Sequence, residues 1–150
     1  MIGAAHITAD LINLAHSFDF ETIVIDPRGI FASKTQFEQA PDQLFNDYPS
    51  EVLPNFNLDH YTYAVTLSHD PKIDDNALRI LLDSPVAYIG ALGSKRTHAK
   101  RVKRLLEAGF SQEQVDRIYG PVGVSINAKT PREIALSIMG QIVEMKNQFM

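Results

Sequence analysis

A chain of 150 residues, 45% hydrophobic and 21% charged, is long enough to bury a sizeable core and short enough to form one domain. Its formal net charge of −4 gives no bias toward nucleic acid or an anionic membrane, so neither is expected as a partner, and no run of about 18 apolar residues is present to span a bilayer. The absence of cysteine excludes disulfides, thiolate metal sites and cysteine nucleophiles within the chain.

The first segment, MIGAAHITADLINL, lacks the basic start and apolar stretch of a secretory signal, so a cytoplasmic location is expected. Gly3-Ala4-Ala5-His6 looks like the turn after a first strand, but only Met1 and Ile2 precede it. A complete unit needs about five strand residues there. The first strand is therefore read as truncated, the sheet as a strand short or completed by another chain, and residues 1–150 as one domain of a longer protein. Leu11, Leu14, Ala15 and Phe18 recur at helical spacing. ETIVID (21–26) is a short β-branched run that ends at Asp26-Pro27. Residues 27–60 are rich in Pro, Asn, Asp and aromatics, which predicts irregular structure with short helices and one short strand around Val52-Leu53. YAVTLSH (63–69) is the next strand, and residues 73–82 form a helix with Ala77, Leu78, Leu81 and Leu82 on one face. VAYIGAL (86–92) is a further strand, and the helix after Gly93 is predicted to bury Val102, Leu105 and Leu106. Ser111 to Tyr119 reads as a helix opened by a capping box of Ser111 and Gln114. The last helix opens with Thr130 as cap, Pro131 in its first position and Glu133 closing the box, and Ile134, Ile138, Ile142 and Met145 mark its buried stripe.

Apolar strands alternating with amphipathic helices imply an α/β fold, a doubly wound and mostly parallel sheet covered on both faces. Ligands of such sheets bind outside the carboxyl ends of the strands. The residues placed there are Gly3 to His6, Asp26 to Arg28, His69-Asp70 and Gly90 to Thr97.

In YIGALGSKRTHAKR (88–101), Gly90 and Gly93 permit a sharp turn, and Ser94 can cap the helix that follows. The free N–H groups and dipole of a helix start favour a phosphate or carboxylate. Lys95 and Arg96 face the positive end of that dipole, which is unfavourable unless an anion binds. An anion site at Gly93 to Thr97 competes with a plain capped turn. Lys100, Arg101, Lys103 and Arg104 read as a solvated face, with His98 among them. Gly3-Ala4-Ala5-His6 occupies the place of a dinucleotide loop, and Asp26 fits the acidic residue about 20 positions on. However, Ala5 stands at the second glycine position and Thr8 at the third, so a scaffold without dinucleotide is equally open. His69-Asp70 suits acid–base or ligand-orienting work, or a helix cap. No ligand spacing supports a metal site with His6. Gly120-Pro121-Val122-Gly123 and Asn127 read as a rigid turn before the last helix.

Together, VIDPRGIFAS (24–33), HDPKIDDNAL (69–78), YIGALGSKRTHAKR (88–101), GFSQEQVDRIYGPVG (109–123) and TPREIALSIMGQIV (130–143) resemble the carboxyl-terminal domain of the xanthine dehydrogenase accessory family (XdhC/CoxI). The resemblance covers nearly the whole chain in order. It implies a Rossmann-like domain of a molybdenum-cofactor maturation factor. Such a protein binds molybdopterin, helps deliver it to a xanthine dehydrogenase-like molybdenum hydroxylase, and often forms homodimers. On that reading Gly90, Gly93, Ser94, Lys95, Arg96 and Thr97 form the phosphate turn, Asp26 and Arg28 flank it, and Gly3, His6, His69 and Asp70 lie near the reactive end. The family's glycine is replaced by Ala5, and the family's amino-terminal domain is not in this sequence. The role expected is an accessory one, with no catalytic residue assigned. The rival is an NAD(P)-dependent oxidoreductase in which Asp26 favours NAD. A nucleic-acid module using Lys95 to Arg104 is opposed by the net charge and by the lack of interleaved aromatics.

Overall fold

One residue joins the two halves of the sheet. Ile2 bridges in parallel to Ile25 on one side and to Thr66 on the other. Its N–H donates to the Val65 carbonyl at 2.8 Å, and its carbonyl accepts from Leu67 N–H at 2.7 Å. The structure, a computed structural model, describes residues 1–29 and 37–148.

In chain order the elements are α1 (His6–Ser17), β1 (Ile23–Ile25), β2 (Gln43–Phe45), α2 (Pro49–Val52) with a 3₁₀ turn (Leu53–Asn55), β3 (Tyr63–Thr66), α3 (Pro71–Leu81), β4 (Tyr88–Ala91), α4 (Lys95–Glu107), α5 (Gln112–Val115), β5 (Ile118–Tyr119) and α6 (Pro131–Gln148). All strand pairs are parallel, and the order is β2-β1-Ile2-β3-β4-β5. This is a doubly wound, Rossmann-like sheet whose order reverses at Ile2. Ile2 alone closes the gap between β1 and β3, so the sheet is not split.

Alternation along the strands feeds two apolar layers. Val65 and Tyr88 face α1 and α6, where Leu11, Ile138 and Met139 pack. Ala64, Ile89 and Ala91 face α3 and α4, where Ala77, Leu78, Leu81 and Leu105 pack. Each fully buried Leu or Ile contributes roughly 1.5–3 kcal/mol. Tyr88 anchors the far edge: its hydroxyl donates to Gln141 Oε1, which also accepts from Gly123 N–H at 2.9 Å. Burial raises the Tyr88 phenol well above its usual range. Among the described residues, no helix is long and apolar enough to cross a membrane.

Several local expectations change. Val52-Leu53 is helical, not a strand: Pro49 opens α2 and Pro54 sits in the 3₁₀ turn, and proline lacks the N–H that a ladder needs. The strand of this region is β2, which pairs with β1. The helix from Ser111 ends at Val115, although its capping box is present. The Arg117 guanidinium then donates to the carbonyls of Leu82 and Val86, both at 3.0 Å, beside β5 on the edge of β4. Phe18 lies beyond α1 and is 52% exposed. On α4, Leu105 is buried but Leu106 is exposed, and the second buried residue is Arg101. Residues 30–33 of the VIDPRGIFAS match lie outside the described residues.

Candidate functional site

The loops at the carboxyl ends of Ile2, β1, β3 and β4 meet on one edge of the sheet. Gly3 makes the first turn with φ +103. A Cβ there would lie 2.6 Å from the Ser68 backbone, so the loop after β3 packs directly on this glycine. Gly3→Ala is expected to cost about 2 kcal/mol, from left-handed strain and overpacking together. Urea unfolding checks this, and an unchanged midpoint would mean that the turn is loose.

The turn is closed from within. Thr8 Oγ1 donates to the Gly3 carbonyl at 2.6 Å and accepts from Ala5 N–H at 3.1 Å. Ala4 N–H donates to Asp26 Oδ2 at 2.9 Å. Two N–H groups that could face a pyrophosphate are therefore already used. Asp26, at the end of β1, is fully buried. Its carboxylate also accepts from Arg28 N–H at 2.8 Å and from both arms of the Arg28 guanidinium at 3.0 Å. Burial alone would raise the Asp26 carboxyl, but the bonds from Arg28 and Ala4 outweigh it and hold it below its usual range. Asp26 thus ties the Gly3 turn to Arg28 rather than presenting itself to a ribose. His6 opens α1 and is exposed.

After β3, His69 is exposed with φ 63, and Asp70 caps α3 by accepting from Lys72 N–H at 2.9 Å. Ser68 Oγ donates to Asp74 Oδ1 at 2.5 Å. Burial pushes the Asp74 carboxyl up, against the pull of those Ser68 bonds and the charge of Arg101. Asp74 and Asp70 both act electrostatically on Arg28.

Gly90 lies inside β4, not in the turn as expected. A Cβ there would come within 2.6 Å of the Tyr88 hydroxyl and 2.5 Å of Val122, so this glycine makes room in the α6-side layer. Gly93 is the turning residue, with φ +144. Ser94 then caps α4, its Oγ accepting from Thr97 N–H at 3.1 Å. The N–H groups of Lys95 and Arg96 meet no acceptor among the described residues. Both side chains are exposed, and neither forms an ion pair among the described residues. Ser94→Ala is expected to cost about 1 kcal/mol as a lost cap. A shift of the thermal midpoint of a few degrees checks this, and no shift would mean that α4 opens without its cap.

Beneath this turn sits Arg101, expected at the solvated face but only 3% exposed. Its Nη2 donates to the Leu92 carbonyl at 2.9 Å, and Nη1 lies 3.3 Å from His98 Nδ1. Its Nε has no hydrogen-bond partner, and neither does the buried Thr66 hydroxyl at the end of β3. Arg101 shares a helix stripe with Leu105 (i, i+4), the one signal in the sequence that marks it as inward-facing. Thr8, Ser68 and Asp74 carry no comparable signal; each is polar and short, and only the fold brings it to its partner.

A cleft of 330 Å³ lies at the opposite end of the sheet, lined by Met1, Phe20, Ile23, Leu53, Phe56 and Tyr63 among others. Its largely apolar wall lacks the cations and helix start of the carboxyl edge, so it is set apart from the candidate site. Among the described residues, no group of three or more acidic or histidine side chains is placed to hold a metal ion. The edge instead offers open N–H groups, two exposed cations and a buried guanidinium, which together can bind an anion.

Comparison with known proteins shows the family and the fold. A Bacillus subtilis (strain 168) protein, named as one probable subunit of a xanthine dehydrogenase, is 32% identical over 148 residues, covering 99% of this chain and 42% of the relative. The "Molybdenum cofactor insertion chaperone PaoD" of Escherichia coli (strain K12) is 30% identical over 103 residues, covering 69% of this chain and 32% of the relative. A crystal structure described as a xanthine dehydrogenase from Bacillus halodurans superposes with a TM-score of 0.82 at 33% identity, over 98% of this chain and 41% of that one. The chain spans less than half the length of each of these proteins. The family profile described as the XdhC Rossmann domain matches residues 1–142, and the chain belongs to that family.

Proposed function

We propose that this domain holds a molybdenum cofactor by its phosphate end at the carboxyl edge of the sheet and assists its maturation or insertion into a xanthine dehydrogenase-like molybdenum hydroxylase. The observation that carries the reading is the Gly93 turn, where the capped start of a 13-residue helix presents unpaired N–H groups with Lys95 and Arg96 exposed beside them. Such a start attracts a phosphate through both its donors and its dipole. The names of the Bacillus subtilis relative and of the insertion chaperone supply the enzyme class.

The residues fit the group's phosphate. Gly93 lets the chain turn close to it, Ser94 and Thr97 fix the helix start, and Lys95 and Arg96 neutralise it. Arg28 and His69 on the neighbouring loops, and His6 at the start of α1, stand on the same edge and are suited to the rest of the ligand. When bound, the cofactor carries the redox chemistry that a hydroxylase uses after delivery. The residues here bind, orient and shield. The Asp26–Arg28 fork and the Thr8 lock keep the edge rigid, so little ordering cost falls on binding.

The test is reactivation. A cofactor-free xanthine dehydrogenase is mixed with isolated molybdenum cofactor, with and without this protein. Faster or fuller recovery of activity with the protein is expected. Equal recovery in both samples would contradict an accessory role.

A further inference from the structure

We infer that Arg101 is the positioning residue of the anion site, a buried cation that fixes the Gly93 turn and adds its charge to the phosphate-binding start of α4. The inference rests on the reading of that turn as the ligand's anion site.

Three observations carry it. First, Arg101 has no carboxylate within ion-pair distance among the described residues. The two nearby acids are engaged elsewhere: Asp75 accepts from Arg104 Nε at 2.6 Å, and Asp74 accepts from Ser68 at 2.5 Å. A buried guanidinium without a paired anion is costly, and an apolar side chain at this position would pack beside Leu105 without that cost. Second, the guanidinium lies against the turn itself. Nη2 is 3.7 Å from the Cβ position of Gly93 and holds the Leu92 carbonyl just before it. Third, its bonding is incomplete, since Nε has no partner. Thr66 Oγ1 is also unpaired, on the same face of the neighbouring strand, where the register sets Thr66 beside Ala91. Arg101 has five donors; Nε is left open, and the Asp74 and Asp75 carboxylates act on its charge only from beyond ion-pair distance, beneath the start of α4.

His98 provides a reporter. Its Nδ1 is beside Arg101 Nη1, and its ring packs where Gly120 leaves space. Burial and then the Arg101 charge hold its pKa below the usual histidine value. An anion bound against Arg101 offsets that charge and raises the His98 pKa.

The experiment uses inorganic pyrophosphate as the probe, with histidine ring resonances followed by NMR across pH. Wild type, Arg101→Gln and the Lys95→Ala/Arg96→Ala double variant are compared. In wild type, saturating pyrophosphate is expected to raise the His98 midpoint by about one pH unit. His16 and His60, at the other end of the sheet, serve as controls. Arg101→Gln is expected to bind pyrophosphate about tenfold more weakly, the loss of one charge contribution. Binding that depends on Lys95 and Arg96, with His98 unmoved or with Arg101→Gln binding as tightly as wild type, would overturn the role of Arg101 and leave the anion turn standing. No pyrophosphate binding to wild type would overturn both. If Arg101→Gln does not fold, the wild-type His98 titration decides alone.

Discussion

Replacing Lys95 and Arg96 together by alanine is expected to weaken binding of the molybdenum cofactor about a thousandfold while leaving thermal unfolding nearly unchanged. Two charge-assisted contacts to a phosphate contribute about 2 kcal/mol each, and their joint loss of about 4 kcal/mol corresponds to that factor. Stability should hold because both side chains are exposed and unpaired among the described residues. Their charges also oppose the positive end of the α4 dipole, so their removal can even raise the midpoint slightly. Isothermal titration and a thermal melt of the same samples separate the two effects. A large fall in the melting midpoint would show that the pair is structural. Unchanged affinity would place the ligand elsewhere.

The second large effect concerns the frame. Asp26→Ala is expected to destabilise the fold by about 3 kcal/mol, the lower end of the range for breaking a buried pair, because Arg28 keeps some contact with solvent. The change removes the acceptor that Ala4 N–H and the Arg28 fork share, and so loosens the Gly3 turn. For a domain of this length the loss amounts to a fall in midpoint of roughly 10 °C. The effect depends on pH in a fixed direction. The folded carboxyl is held below its usual value, so its contribution is present above the unfolded value near pH 4 and is lost as pH falls through the folded value. The gap between wild type and Asp26→Ala should therefore be full at pH 7 and shrink below about pH 4. Urea unfolding at both pH values measures it. A gap that persists in acid would mean that the bonds do not depend on the ionised carboxylate.

The parts of the fold that were legible in the sequence are those whose signal is local. The runs ETIVID, YAVTLSH and VAYIGAL contain β1, β3 and β4 because apolar, β-branched stretches bounded by turn residues have few alternatives. Ser94 and Thr130 mark helix starts by their own chemistry. The Gly93 turn and the Ser94 cap were legible as a helix start, and Lys95 and Arg96 mark it as the proposed anion site because cations there contradict the dipole unless something compensates them. What was not legible depends on partners distant in sequence. β5 is two residues long and exists as the edge of β4, and β2 is only half-buried on the edge of β1, so neither shows a strong alternation. Gly90 reads as a hinge, yet its reason is Val122, which lies in a loop 32 positions later. Arg101 was hidden in a run of like charges. Its burial follows from the phase of α4 against β4, which composition does not reveal. Asp26 matched the position of a ribose-binding acid, but Arg28, two residues on, takes its carboxylate.

The most direct measurement is equilibrium binding of isolated molybdenum cofactor and of NAD(H), side by side, to this chain and to its Lys95→Ala/Arg96→Ala variant. The account predicts that the cofactor binds the wild type, that the variant loses it, and that NAD(H) binds neither. Binding of NAD(H) alone, or cofactor binding that survives in the variant, would contradict it.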